Sequence, residues 1–205
     1  MSSDLSFIHH FEKGTSSQAP LLLLHGTGGD EHDLVPLGKA MAPGRSLLSP
    51  RGKILENGMP RFFRRLAEGV FDEEDVRIRA HELADFIVSA RSAYSLAKPV
   101  AVGFSNGANI AAAMLLVRPD VLSGAILLRA MVPLADPPQT VIAQTPVLLV
   151  SGESDPIIPL GNAARLATML KDAGAVVQHD TLPTGHNLTQ HDMTIASQWL
   201  NKQEK

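Results

Sequence analysis

The feature of this sequence that most constrains its fold is a regular alternation between short apolar runs and longer segments with helical spacing. The apolar runs do not alternate polar and apolar residues, which is typical of parallel strands covered on both faces. The predicted strands lie at 5–11, 20–24, 45–49, 99–104, 122–128, 146–151 and 175–182, and the predicted helices at 74–97, 107–117, 160–173 and 189–201. This order predicts an α/β fold with a single doubly wound, mostly parallel sheet of about seven strands and helices on both faces.

Length and composition narrow the class of protein further. A chain of 205 residues suits one domain spanning 1–205. The net charge of −3 gives no electrostatic signature for nucleic acid or for an anionic membrane surface. The absence of cysteine excludes a disulfide framework, a thiolate nucleophile and Cys-ligated metal sites. Neither a signal-peptide pattern nor a membrane-length apolar run is present, so we expect a cytoplasmic protein that binds neither membrane nor nucleic acid.

The segment Gly103-Phe104-Ser105-Asn106-Gly107 matches the pattern G-x-S-x-G. It follows one predicted strand and opens an Ala-rich predicted helix, which is the setting in which a serine is held in a strained strand-to-helix turn. The two glycines fit a turn so tight that a Cβ would clash. Free N–H groups at the helix N-terminus favour a developing oxyanion. Ser105 is therefore the predicted nucleophile; the alternative is a Gly-Ser turn with a capping serine.

A serine nucleophile needs a base and an orienting acid, which follow it in the order Asp/Glu, then His, in this kind of sheet. Asp155 comes just after a predicted strand and is the predicted acid. Glu153 in the same loop is the alternative, and Asp155 could instead initiate an Asp-Pro turn. His186 lies in a Gly-containing loop between the last predicted strand and helix, and is the predicted base unless it is a free surface histidine. His179 is expected on a strand face and His191 within the last helix.

The segment 24–30, Leu-His-Gly-Thr-Gly-Gly-Asp, directly follows the first long apolar strand. Its glycines allow the backbone to approach a substrate, so that N–H groups can face a carbonyl oxygen. We expect the N–H groups of Thr27 and Asn106 to form an oxyanion hole, and His25 to hold the loop by hydrogen bonds. A phosphate-binding loop is the alternative, but neither G-x-G-x-x-G nor a following G-K-[ST] is present.

Taken together, these segments resemble the α/β-hydrolase superfamily and, within it, the phospholipase/carboxylesterase family, which also holds the acyl-protein thioesterases. The residues that carry the resemblance lie at 24–30, 103–107, 152–159 and 185–186. The resemblance implies an α/β-hydrolase fold without a large lid domain, acting on carboxylic esters or thioesters with no cofactor or metal. Residues 49–72 are also similar to the bacterial predicted esterases of this family. Within them, 57–65 departs from the acyl-protein thioesterases, where a different loop leads to the acyl channel.

The segment 50–72 joins a predicted strand to the long helix and should pass near the carboxyl ends of the strands. Met59, Phe62 and Phe63 form a local apolar cluster in it, and nearby arginines add charge. We expect these three residues to bind substrate as a wall of the pocket. Alternatively, the loop covers the sheet edge, or it contributes a subunit contact in a homodimer.

The predicted function is that of a serine carboxylesterase. Ser105, His186 and Asp155 would form a triad that hydrolyses small to medium carboxylic esters through a covalent acyl-enzyme. Thioesters are a further candidate substrate class. Rival functions are acyl-protein thioesterase or lysophospholipase-like activity, a peptidase or an acyltransferase on the same scaffold. A more distant rival is a non-catalytic binding module that has kept the fold. The expected partner is a small-molecule ester.

Overall fold

The computed structural model describes residues 5–203 of the chain. The strands are β1 (His9–Glu12), β2 (Leu21–Leu24), β3 (Leu47–Pro50), β4 (Ile54–Glu56), β5 (Met59–Arg61), β6 (Arg65–Ala67), β7 (Val70–Phe71), β8 (Val100–Phe104), β9 (Gly124–Leu128), β10 (Pro146–Gly152) and β11 (Val176–Leu182). The helices are α1 (Val35–Met41), α2 (Glu73–Tyr94), α3 (Asn106–Val117), α4 (Leu160–Asp172) and α5 (Gln190–Lys202).

Seven of these strands form one sheet in the order β1-β3-β2-β8-β9-β10-β11. Strand β1 is antiparallel to β3, and every other neighbouring pair in this sheet is parallel. The prediction of a mostly parallel sheet of about seven strands is confirmed. In such a sheet the carboxyl ends of the parallel strands meet at one edge, where the loops after β2, β8, β10 and β11 can come together.

The inner strands of the sheet are buried on both faces, and consecutive residues of a strand point to opposite sides. In β2, Leu22 and Leu24 belong to the core shared with α2, α3 and α4, whereas Leu21 and Leu23 belong to the core shared with α1 and α5. This explains why the strands read as unbroken apolar runs. Within residues 5–203, no helix combines the length and the apolar character needed to cross a membrane.

The long helices begin where the sequence supplies caps. The side chain of Asp72 accepts a hydrogen bond from the Asp75 N–H at the start of α2. At the start of α5, Thr189 and Asp192 cap each other reciprocally in a capping box. This box fixes the direction in which the chain leaves the loop after β11, and that loop carries His186.

Two parts of the structure differ from the sequence expectation. Helix α1 was not expected; it has only seven residues, including a proline and a glycine, so its periodicity is weak. The segment 50–72, expected as a loop, contains two β-hairpins, β4–β5 and β6–β7. The first turns at Asn57 and Gly58, both with positive φ. An Asn-Gly pair is a strong hairpin signal, so this element could have been found from the sequence.

Candidate active site

Ser105 occupies the turn between β8 and α3. Its backbone has φ 52° and ψ −113°, a strained conformation for a residue with a side chain. The close packing around it explains the flanking glycines: a Cβ on Gly103 would lie 2.5 Å from the carbonyl oxygen of Gly107, and one on Gly107 would lie 2.0 Å from that of Leu24. The turn therefore places the Ser105 hydroxyl at the N-terminus of α3, above the carboxyl end of β8.

His186 and Asp155 meet at Ser105. The Nε2 atom of His186 lies 3.0 Å from Ser105 Oγ, and its Nδ1 atom lies 2.8 Å from Asp155 Oδ2. The other oxygen of Asp155, Oδ1, accepts hydrogen bonds from the N–H groups of Ile157 and Ile158. The carboxylate is 1% exposed, which fixes its orientation toward His186. The structure thus brings the predicted nucleophile, base and acid together.

The alternative site residues lie elsewhere. Glu153 is exposed, and the carboxylate that contacts His186 is that of Asp155. His179 is in β11, where its Nε2 atom lies 2.9 Å from the Oγ atom of Ser151. Burial lowers the pKa of His179 below its ordinary value of 6.5. His191 is an exposed residue of α5. In the described chain, the side chains of Asp155 and His186 are therefore the ones that lie in line with Ser105 Oγ.

The two expected oxyanion donors flank the serine. Asn106 is the first residue of α3, so its N–H has no partner within the helix. Thr27 lies in the loop after β2 and, like Asn106, lines the cavity that contains Ser105 and His186. Among the backbone hydrogen bonds of the described chain, the Thr27 N–H donates to no protein acceptor. Both N–H groups are therefore free to bind a substrate oxygen.

The side chain of His25 connects the Thr27 loop to the backbone at Gly52. This side chain is fully buried; Nδ1 lies 2.6 Å from the carbonyl oxygen of Gly26, and Nε2 accepts a hydrogen bond from the Gly52 N–H at 3.0 Å. These partners require a neutral ring with its proton on Nδ1. Burial is the main cause that lowers the pKa of His25 below its ordinary value of 6.5.

This arrangement predicts that acid destabilises the protein through His25. Below its ordinary pKa of 6.5 the unfolded chain protonates His25, whereas the folded chain keeps it neutral, so unfolding takes up a proton. The free energy of unfolding should therefore fall as the pH drops below 6.5, by up to about 1.4 kcal/mol per pH unit from this residue. Urea unfolding at about pH 7.5 and about pH 5.5 measures the loss. His25→Gln should lose less stability between the two pH values than the wild type; an equal loss would contradict the prediction.

The cavity above Ser105 has a volume of about 370 Å³. Apolar side chains form part of its wall: Phe71, Met131, Ile157 and Ile158. Charged residues of the two hairpins form another part: Arg61, Arg65 and Glu68. A larger cavity of about 760 Å³ lies between the 137–141 segment and α4, away from these groups.

The structure does not place Met59, Phe62 and Phe63, the expected pocket wall, in the lining of this cavity. Phe62 and Phe63 are 3% and 0% exposed and belong to the core beside α2 and α3. Met59 is 40% exposed and lies beside Gly28 of the Thr27 loop, outside the cavity lining. The physical reason is that β5 ends at Arg61 and the chain bends at Phe62 and Phe63, which places both phenylalanine side chains in the core. Their neighbour Arg61 lines the cavity instead.

Sequence reasoning also missed Arg129, which follows β9 and is 1% exposed. Its guanidinium forms a buried ion pair with both carboxylate oxygens of Asp192, at 2.7 and 3.0 Å. It also donates to the carbonyl oxygens of Gly185 at 3.0 Å and Asn187 at 3.2 Å, the two neighbours of His186. The signal for it was an arginine directly after an apolar strand, at the edge where the strand ends meet.

The fold and the site together define the class of protein. A strained serine between a parallel strand and a helix, with a histidine and an aspartate on later post-strand loops, is the arrangement of an α/β-hydrolase. The chain belongs to the phospholipase/carboxylesterase family, whose model matches residues 10–204. The fold expected from the sequence and the family resemblance are both confirmed.

Individual relatives agree with this assignment. The chain is 48% identical over 196 residues to MhqD of Bacillus subtilis (strain 168), provisionally named a hydrolase, covering 95% of this chain and 98% of that one. The crystal structure of the Bacillus cereus carboxylesterase is 43% identical with a TM-score of 0.94, covering 98% of this chain and 96% of that one. A carboxylesterase structure from Mesorhizobium loti is 32% identical with a TM-score of 0.92, covering 97% and 96%.

Proposed function

We propose that this protein is a serine carboxylesterase that hydrolyses small to medium carboxylic esters. The observation that carries the proposal is the chain of hydrogen-bond distances from Ser105 Oγ to His186 Nε2, 3.0 Å, and from His186 Nδ1 to Asp155 Oδ2, 2.8 Å. Membership of the phospholipase/carboxylesterase family supports the same reaction class.

The first half-reaction acylates Ser105. His186 Nε2 accepts the hydroxyl proton while Ser105 Oγ attacks the ester carbonyl carbon, and Asp155 stabilises the imidazolium that forms. The carbonyl oxygen becomes an oxyanion, which the N–H groups of Thr27 and Asn106 stabilise by roughly 3 kcal/mol per donor. The tetrahedral intermediate then collapses. The carbon–oxygen bond to the leaving group breaks, and His186 donates its proton to the departing alcohol.

The second half-reaction releases the acid. His186 accepts a proton from a water molecule, whose oxygen attacks the acyl carbon of the Ser105 ester. The same two N–H groups stabilise the second oxyanion. His186 returns the proton to Ser105 Oγ, which leaves as the free hydroxyl together with a carboxylic acid. The reaction as written uses no cofactor.

The direct test is covalent labelling combined with turnover. A fluorophosphonate probe should attach to the protein, and mass spectrometry of its peptides should locate the label on Ser105. The same preparation should hydrolyse p-nitrophenyl esters. Absence of both labelling and turnover would overturn the proposal, and a label on a different serine would reject Ser105 as the nucleophile.

The cavity also predicts a preference for short acyl groups. Its volume of about 370 Å³ lies near the lower end of the range for small-molecule sites. A long acyl chain would have to leave this space and would gain less binding free energy in the transition state. We therefore expect kcat/KM to be highest with p-nitrophenyl acetate or butyrate and at least about tenfold lower with the laurate. If kcat/KM instead rose with acyl chain length up to the laurate, this would indicate an acyl channel and favour a lysophospholipase-like substrate.

A further inference from the structure

The segment from Met59 to Phe62 connects the two expected oxyanion donors. The carbonyl oxygen of Pro60 accepts a hydrogen bond from the Gly28 N–H at 2.9 Å, next to Thr27. Two residues later, the Phe62 N–H donates to Oδ1 of Asn106 at 2.7 Å. One short stretch of backbone thus binds the loop after β2 on one side and the first residue of α3 on the other.

Arg61 lies between these two contacts and adds the side-chain connection. Its Nη1 atom donates to Oγ1 of Thr27 at 2.6 Å. Its Nε atom lies 3.2 Å from the carbonyl oxygen of Phe63 and 3.1 Å from Oε2 of Glu56. The guanidinium is also 5.7 Å from the centre of the Phe63 ring. All of these contacts restrict the guanidinium to one position.

Arg61 and Thr27 differ in how deeply they are buried, and this difference indicates which residue holds the other. Arg61 is 3% exposed, whereas Thr27 is an exposed residue in a glycine-rich loop. Burial lowers the pKa of Arg61, but an arginine stays protonated in proteins. A charged guanidinium held by several partners gives a fixed donor, and a charge-assisted hydrogen bond is stronger than a neutral one. We therefore expect the exposed partner, Thr27, to be held in place by the buried one, Arg61.

We infer that Arg61 is a positioning residue of the oxyanion hole, which fixes Thr27 so that its N–H stays at the correct separation from the Asn106 N–H. This inference rests on the proposed serine hydrolase reaction. The N–H donors bind the oxygen most strongly when it carries negative charge, in the transition state. Loss of Arg61 or of its acceptor should therefore lower kcat and leave KM nearly unchanged.

The experiment compares two variants that break the same hydrogen bond from opposite ends. Arg61→Met removes the donor, and Thr27→Val removes the acceptor while it keeps the backbone N–H and the side-chain shape. Each should lower kcat for p-nitrophenyl acetate about tenfold to 100-fold, with KM changed less than about threefold. The double variant should be little worse than either single variant, because both remove one interaction. The matched control is Arg64→Met, a 63% exposed arginine three residues further along, which should behave as the wild type.

A second readout separates this inference from the proposed function. The rate of fluorophosphonate labelling at Ser105 requires the same oxyanion donors but no particular ester, and it should fall in parallel with kcat. If the wild type neither labels nor turns over, the proposed function is wrong. If the wild type is active and Thr27→Val keeps its kcat and labelling rate, the Arg61 inference alone is overturned. Thermal unfolding serves as a folding check, since a fall in melting temperature with unchanged kcat would also overturn it.

Discussion

Replacing Ser105 by alanine is expected to lower kcat for p-nitrophenyl acetate by about 10⁵-fold or more, because removal of the nucleophile of a Ser–His–Asp triad abolishes the acyl-enzyme route. The variant keeps His186, Asp155 and both backbone donors. It should therefore still bind esters with a similar affinity, while the residual rate comes from general-base attack by water. Fluorophosphonate labelling should disappear. Steady-state kinetics measure the ratio of the two kcat values, with the active-site concentration of the wild type determined by titration.

The chain offers a matched control for this variant in a second serine–histidine pair. Ser151 Oγ lies 2.9 Å from His179 Nε2, a distance comparable to that in the Ser105–His186 pair. Ser151, however, is a 3% exposed residue within the sheet strand β10, whereas Ser105 lies in a strained turn at the start of α3. Ser151→Ala should therefore retain kcat within about threefold of the wild type, because a hydrogen bond to histidine alone does not activate a serine.

The two variants together decide which pair is chemically active. Loss of activity in Ser105→Ala with retention in Ser151→Ala supports the assignment. Equal turnover by Ser105→Ala and the wild type would reject the serine mechanism at this site. A large loss of kcat in Ser151→Ala with an unchanged melting temperature would contradict the expectation that this second serine is inactive.

The main features of the fold and three residues of the site could be predicted because they depend on chain order. Parallel strands covered on both faces must be apolar throughout, and their carboxyl ends meet at one edge. Ser105, Asp155 and His186 each follow a strand, so their meeting follows from topology once the strands are placed. The oxyanion loop at Thr27 follows from the same rule.

The pocket wall could not be predicted because it depends on how the chain bends after a short strand. Met59, Phe62 and Phe63 read as a cluster in sequence, but β5 ends at Arg61, and in the bend that follows both phenylalanines enter the core while Arg61 lines the cavity. Consecutive residues of a strand point to opposite faces, so a strand pattern would not place Phe62 and Phe63 on the same side. The bend is held by a tertiary contact, the hydrogen bond from the Phe62 N–H to Oδ1 of Asn106, which the local sequence does not show.

The position of Arg129 after a strand could be noticed in the sequence, but its contacts could not be predicted, because its partners lie far away in the chain. Asp192 is 63 residues distant, and the carbonyl groups of Gly185 and Asn187 are nearly as far. Arginine side chains are usually exposed, and only the tertiary structure shows that Arg129 is buried beside a carboxylate. Because of these contacts, we expect substitution of Arg129 to have a large effect, as substitution of Ser105 does.

Arg129→Met is expected to destabilise the protein by about 3–5 kcal/mol. The substitution leaves the carboxylate of Asp192, which is fully buried, without its cationic partner, and an uncompensated buried charge is strongly destabilising. The carbonyl oxygens of Gly185 and Asn187 also lose a donor, so the loop carrying His186 becomes less restricted. We expect kcat in the folded protein to fall about tenfold or more. Urea unfolding and steady-state kinetics well below the unfolding midpoint measure the two effects.

Arg118→Met is the matched control, since its guanidinium is 25% exposed and its ion pairs with Asp85 and Asp120 lie at the surface. Surface pairs contribute at most about 1 kcal/mol, so this variant should remain near the wild type. An equal loss of stability in both variants would contradict the special role of Arg129.

The double variant Arg129→Met/Asp192→Leu separates stability from positioning of the base. Replacing both charges with apolar side chains removes the unpaired carboxylate and should recover most of the lost stability. The recovery stays incomplete because Asp192 also accepts the Thr189 N–H in the capping box, a contribution of about 1 kcal/mol. The carbonyl groups beside His186 still lack their donor, so kcat should remain low. If kcat returned together with stability, Arg129 would act on the fold alone; if stability returns and kcat does not, Arg129 positions the base.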